Sequence, residues 1–117
     1  MTTTNVIRGY FESLERKQDW QSFLAEQLAF TSFTSPIKRT AGKSAYLEST
    51  KRFFSMITKV QLEDLLVDGS KACALTRYQL QAPGRAAFEC PVAEVFEVRD
   101  GMIASLQIYF DSSPFPR

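Results

Sequence analysis

The chain has 117 residues, with 14 Lys and Arg against 13 Asp and Glu, ten Phe, two Cys and no histidine, a size at which one domain buries roughly two thirds of the surface its unfolded chain exposes. A formal net charge of +1 with no long basic run gives no electrostatic footprint for nucleic acid or a membrane surface, because both need clustered Lys and Arg. The missing histidine removes serine-histidine and cysteine-histidine nucleophile pairs and imidazole metal ligands, so any acid-base chemistry must run on carboxylates, phenols or amines.

Residues 5 to 17 carry Val6, Ile7, Tyr10, Phe11 and Leu14 at the spacing of an amphipathic helix, with Thr4 or Asn5 as N-cap and Arg8, Glu12, Glu15 and Arg16 on the other face. A second, short helix opens at Asp19 and places Trp20, Phe23 and Leu24 on one side. Leu28 to Ser35 alternates apolar and small hydroxyl residues and reads as a strand ended by Pro36, and Ile37 to Gly42 reads as a loop. Helical spacing resumes over 43 to 57 through Tyr46, Leu47, Thr50, Phe53, Phe54 and Ile57. From Lys59 the period changes to two, in runs 59 to 67, 71 to 81, 85 to 98 and 102 to 111, separated by Asp68-Gly69, Pro83-Gly84 and Asp100-Gly101. The pattern predicts one α+β domain over 1 to 117, with three helices ahead of a four-strand antiparallel meander.

Turn type fixes hairpin register, and a slip of one residue swaps every side chain to the other face. A two-residue Asp100-Gly101 turn would pair Glu94 with Gln107 and Val95 with Leu106. A three-residue loop, Arg99-Asp100-Gly101, instead pairs Glu94 with Leu106, Val92 with Ile108, Cys90 with Phe110 and Phe96 with Ala104, matching apolar with apolar. The same rule at Ala82-Pro83-Gly84 pairs Tyr78 with Phe88, Thr76 with Cys90, Ala74 with Val92 and Ala72 with Glu94, and sets Arg77 opposite Glu89. One face is then Ala74, Thr76, Tyr78, Leu80, Phe88, Cys90, Val92, Phe96, Val98, Leu106, Ile108 and Phe110, with Glu94 in its middle. Desolvation disfavours the charged form of a carboxyl there, which makes Glu94 the first candidate for chemistry.

The opposite face carries an apolar stripe that includes Leu75, Ala93, Val95 and Tyr109, which helices on the other side cannot cover. That stripe predicts a homodimer through the outer face. The first residues lack the apolar region of a secretory signal, and no apolar run approaches the ~20 residues that span a bilayer; the expected location is the cytoplasm. Cys73 and Cys90 fall on opposite faces and read as reduced packing residues, and no metal constellation or cofactor motif is present. Ser35-Pro-Ile-Lys38 and Gly42-Lys43-Ser44 imitate a penicillin-binding motif and the end of a P-loop, but the chain is too short for the first and has Ile37 where the second needs glycine.

Helix, short helix, strand, loop, helix and a long meander with a carboxylate on its inner face resemble the nuclear-transport-factor-2-like superfamily, which includes SnoaL-like polyketide cyclases, ketosteroid isomerases and limonene epoxide hydrolases. The stretches carrying the likeness are Val6 to Leu14, Thr40 to Leu47 and Ala93 to Asp111. The resemblance implies a cone-shaped fold in which helices close one side of a curved, mixed, mainly antiparallel sheet around an apolar cavity. It also implies a cofactor-free protein that binds a small, largely apolar molecule. Tyr10 falls where the isomerases have a first-helix tyrosine and Glu94 where they have a strand aspartate, so the two are the implied hydrogen-bond donors to an enolate oxygen. Thr76, Tyr78, Phe88, Val92, Phe96, Leu106, Ile108 and Phe110 are the expected pocket wall. The isomerases' base aspartate has no counterpart, because residues 27 to 47 contain no acid and Phe33, Thr34 and Ser35 occupy that region.

Overall fold

The computed structural model describes residues 2–34 and 36–115. Helix α1 (Thr3–Arg16) leads through a single 3₁₀ turn (Trp20–Phe23) into β1 (Leu24–Ser32), β2 (Lys38–Ala41), α2 (Lys43–Met56), β3 (Ile57–Asp68), β4 (Lys71–Leu80), β5 (Phe88–Arg99) and β6 (Met102–Phe110). The strands form one six-stranded sheet in the order β2-β1-β6-β5-β4-β3, with β1 parallel to β6 and all other neighbours antiparallel. Helix α1 packs against β3 and β4, and α2 against β1 and β2. The α+β class and the mixed, mainly antiparallel sheet therefore agree with the sequence, while the helix count does not.

Two α-helices are present among the described residues where three are predicted. Lys17 and Asp19 both take left-handed backbone angles, φ 57° and 56°, so the chain turns sharply twice, and only one 3₁₀ turn fits before Leu24 enters the sheet. The N-cap of α1 is Thr2 and not Thr4 or Asn5; its hydroxyl accepts from the Asn5 N–H at 3.1 Å. The predicted apolar face of α1 is as expected, with Val6, Ile7, Tyr10, Phe11 and Leu14 all buried. Strand β1 begins four residues earlier than its alternation suggests, because its pairing with β6 is irregular between Leu24 and Ala29. Ser35, the predicted end of that strand, lies outside the described residues. The predicted loop 37 to 42 contains β2, an edge strand whose exposed Lys-Arg-Thr-Ala sequence has no apolar alternation to reveal it.

Both predicted hairpin registers need correction. Asp100 and Gly101 lie at φ 53° and 74°, and Arg99 pairs with Met102, which is the two-residue hairpin turn with both central residues at positive φ. Ala104 is then an extra residue in β6, since Val98 pairs with Ile103 but Glu97 with Ser105. This bulge restores apolar matching by another route and sets Phe96 opposite Leu106, Glu94 opposite Ile108 and Val92 opposite Phe110. Between β4 and β5 the connection runs from Gln81 to Ala87, longer than the predicted three-residue loop, so Tyr78 pairs with Cys90, Thr76 with Val92 and Ala74 with Glu94. Arg77 is consequently opposite Pro91 and reaches Glu89 diagonally at 2.9 Å, with Glu63 at 3.2 Å. Both registers differ from the predicted ones by an even number of residues through the centre of the strands, so each side chain keeps its predicted face.

The inner face and both helices enclose the core, in which Phe96 meets Tyr10 and Phe11 edge to face, each at 5.9 Å. Among the described residues no element covers the outer face, and Leu75 and Tyr109 are 42% and 44% exposed there. Cys73 is half-buried and Cys90 buried, and neither forms a disulfide. No helix among the described residues is long and apolar enough to cross a membrane.

Candidate functional site

A cavity of about 430 Å³ opens between α2 and the inner face of the sheet. Its wall is mostly aromatic and aliphatic, with Phe30, Tyr46, Phe53, Phe54, Tyr78, Val92, Leu106, Ile108, Phe110 and Phe115. Pairing across four strands sets one row along the floor: Lys38 of β2 opposite Ser32 of β1, Ser32 opposite Ile108 of β6, and Ile108 opposite Glu94 of β5. Directly opposed residues share a face, so this row runs from the sheet edge to the buried carboxyl.

Glu94 is 3% exposed. Its Oε2 accepts from the Tyr78 hydroxyl at 2.8 Å and lies 2.6 Å from the Thr76 hydroxyl, which is also 3.1 Å from the Val92 carbonyl. The observed register makes these contacts. In the predicted one Glu94 would sit opposite Ala72, about 7 Å further along β4. Burial pushes the Glu94 carboxyl up to about 7, against the opposing effect of the Thr76 and Tyr78 hydrogen bonds, which favour the charged form. Thr76 has one hydroxyl hydrogen and two acceptors, so the network accommodates both protonation states. With Glu94 ionised, Thr76 donates to Oε2; with Oε2 protonated, the acid donates to Thr76 and Thr76 donates to the Val92 carbonyl. Oε1 has no protein partner among the described residues and is not sealed from solvent, which leaves it for a ligand.

Three buried phenols surround this carboxyl. Burial, and then the charges of Glu94 and of neighbouring phenols, raise Tyr10 and Tyr78 well above the ordinary phenol range; burial followed by the Glu94 charge raises Tyr46. All three stay protonated, and Tyr78 donates to Glu94. Tyr46 and Tyr78 are on the cavity wall, whereas Tyr10 lies behind it, packed on Trp20 and Phe96 and interacting with the Tyr46 phenol. Of the other expected wall residues, Val92, Leu106, Ile108 and Phe110 line the cavity, and Thr76, Phe88 and Phe96 do not. Thr76 is buried against Glu94, Phe96 fills the core beneath Tyr10, and Phe88 packs edge to face on Phe115 at 5.2 Å.

Sequence reasoning assigned Tyr46 only to a helix face and missed its place beside Glu94. A signal was available: a buried tyrosine needs a partner for its hydroxyl, and Tyr10, Tyr46 and Tyr78 all fall on inward faces that also hold one carboxyl. Lys38, Ser32 and Thr40 of the wall gave no such signal, because the strand pairing that gathers them was not predicted, while Thr50 and Arg52 come to the wall on α2. Among the described residues no group of three or more Cys, Asp or Glu converges as a metal site.

The sequence matches the model of the SnoaL-like domain family over residues 7–106. No curated protein matches it. Among solved structures, an NTF2-like protein from Burkholderia thailandensis E264 superposes with a TM-score of 0.81 at 18% identity, covering 96% of this chain and 92% of that one. A protein from Jannaschia sp. CCS1, provisionally named a SnoaL-like polyketide cyclase, gives 0.78 at 14% identity over 93% and 85% of the two chains. A protein of ketosteroid isomerase-like fold from Catenulispora acidiphila DSM 44928, solved with trimethylamine, gives 0.76 at 16% identity over 92% and 86%. These identities establish a shared fold, and the family match spans most of the chain: the protein belongs to the SnoaL-like domain family.

Proposed function

We propose that the protein binds a small, largely apolar carbonyl compound in the cavity and moves a proton on it with Glu94, without a cofactor, in an isomerisation, cyclisation or dehydration. The observation that carries this reading is one buried carboxyl, raised to about 7, with one oxygen held by Thr76 and Tyr78 and the other directed to an aromatic cavity. A general base or acid works best when its pKa lies near the working pH. Ionised Glu94 takes a proton from carbon next to the carbonyl, and the enolate oxygen so formed accepts from a phenol. Tyr46 stands on the wall for that donation, and Tyr10 supports it from behind. The same carboxyl returns the proton to the product.

A second reading, a non-catalytic ligand-binding or dimeric assembly domain, draws on a different observation: Glu94 is the sole acid among the described wall residues. In both readings the uncovered apolar stripe of Leu75, Ala93, Val95 and Tyr109 is the dimer surface. Light scattering then gives a particle of twice 13.3 kDa, and Leu75→Arg with Tyr109→Arg halves it; a wild-type monomer at micromolar concentration excludes the dimer.

Burial of Glu94 also makes stability depend on pH. Burial holds the folded carboxyl up at about 7 against the ordinary 4.5, so the folded state binds the extra proton between these values. Stability is fully present below about 4.5 and falls as pH rises through about 7, by about 3 kcal/mol from this group. Urea unfolding from pH 4.5 to 8 is expected to show that decline in the wild type and a flatter profile in Glu94→Gln; parallel profiles would refute the buried, shifted carboxyl. For catalysis, a thermal-shift screen of apolar carbonyl compounds identifies a ligand to assay. Glu94→Gln should lower its turnover about 10²- to 10⁴-fold while changing its Kd only a few fold. Unchanged turnover removes Glu94 from the chemistry, and ligand binding without turnover in the wild type favours the second reading.

A further inference from the structure

The buried polar side chains of this molecule gather at the cavity. Among the described residues three polar or charged side chains are buried: Thr76, Glu94 and Ser32. Thr76 and Glu94 belong to one hydrogen-bonded network. Ser32 stands apart from it on β1, with its hydroxyl 2.7 Å from that of Thr34, and both residues line the cavity. Two hydroxyls carry two hydrogens, and the bond between them uses one. Neither hydroxyl has another partner among the described residues, so whichever of them donates, one hydrogen is left for whatever fills the cavity.

Strand pairing gives the distance from this hydroxyl pair to the carboxyl. Ser32 is opposite Ile108, and Ile108 is opposite Glu94. Two strand spacings of about 4.8 Å put the backbones of Ser32 and Glu94 about 10 Å apart across the sheet. What lies between is apolar: Ile108 in the same row, and Phe30 opposed to Leu106 in the adjacent one, with Tyr46 packed edge to face on Phe30 at 4.7 Å. Lys38 continues the row at the sheet edge, where it is exposed. On α2 the Ser49 and Thr50 hydroxyls both donate to the Tyr46 carbonyl and so have no hydrogen to offer. A molecule lying across the strands therefore meets a proton carrier at one end, an apolar floor in the middle and a buried, uncharged hydroxyl pair at the other.

We infer that Ser32 and Thr34 form a second polar subsite, and that the ligand carries an uncharged oxygen, a hydroxyl, ether or carbonyl, at the opposite end of its apolar body from the carbonyl that reacts at Glu94. This deepens the ligand class proposed above and rests on that reading. A wholly apolar end laid over the pair would strip its water and leave the spare hydrogen without an acceptor, which costs more than the bond itself returns when made. An oxygen placed there accepts that hydrogen, so the pair selects for a ligand oxygenated at both ends and fixes which end faces Glu94.

Two probes with one skeleton test this by calorimetric titration: 4-acetylbiphenyl, which has a carbonyl at one end, and 4-acetyl-4′-hydroxybiphenyl, which adds an oxygen at the other. Ser32→Ala with Thr34→Val removes both hydroxyls together and leaves neither without its partner. The ratio of variant to wild-type Kd cancels the difference in hydration between the probes. That ratio should be about five for the hydroxylated probe, the scale of one neutral hydrogen bond, and within about two for the plain one. Equal ratios for the two probes would overturn the second subsite and leave the apolar cavity standing. Nuclear Overhauser contacts in the wild type give the same reading even where the double variant fails to fold: the hydroxylated ring is expected beside the Thr34 methyl, and a bound probe with no such contact would equally overturn the subsite. Failure of the wild type to bind either probe would overturn the cavity reading itself, and this inference with it.

Discussion

The structure turns on keeping one carboxyl out of water. Raising Glu94 to about 7 by burial corresponds to about 3 kcal/mol against the charged form, a large part of the 5 to 15 kcal/mol typical of a small domain. What makes this tolerable is visible around it. Thr76 and Tyr78 both engage Oε2, and the Val92 carbonyl gives the Thr76 hydrogen somewhere to go when Glu94 is neutral. These partners exist only in one register of β4 against β5, so the sheet's pairing and the carboxyl's environment are a single constraint.

The bulge at Ala104 belongs to the same constraint. The tight Asp100-Gly101 turn alone would carry β6 past β5 with every side chain on the wrong face for the core. One extra residue corrects the parity, and from Phe96 outward apolar residues face apolar residues with Glu94 beside Ile108. Helix α2 then closes the space above that row, bringing Tyr46, Phe53 and Phe54 over it. Helix α1 lies deeper and supplies Tyr10 to the core and not to the wall. The phenols on the cavity wall are thus Tyr46 and Tyr78, although the likeness to the isomerases pointed to Tyr10.

Much of this was legible in residue order. Period-two alternation in the second half put Glu94 on the buried face, and that placement survived two wrong loop assignments because both errors were even. Absolute register was not legible: it depends on the length of the Gln81 to Ala87 connection and on a bulge whose advantage comes from packing against distant residues. The edge strand at Lys38 to Ala41 was hidden for a related reason. It has no buried side of its own and is held by β1, so the place of Lys38 and Thr40 on the cavity wall could not be found from local pattern. The short second helix failed as a prediction because Trp20, Phe23 and Leu24 fit a helical face equally well in one 3₁₀ turn followed by a strand.

Carbon-13 NMR of the glutamate side-chain carboxyls, recorded across pH with Glu94→Gln to assign the resonance, measures the central quantity directly. The account predicts one carboxyl titrating near 7 that is missing from the variant. A Glu94 resonance titrating near 4.5, the ordinary glutamate value, would contradict it.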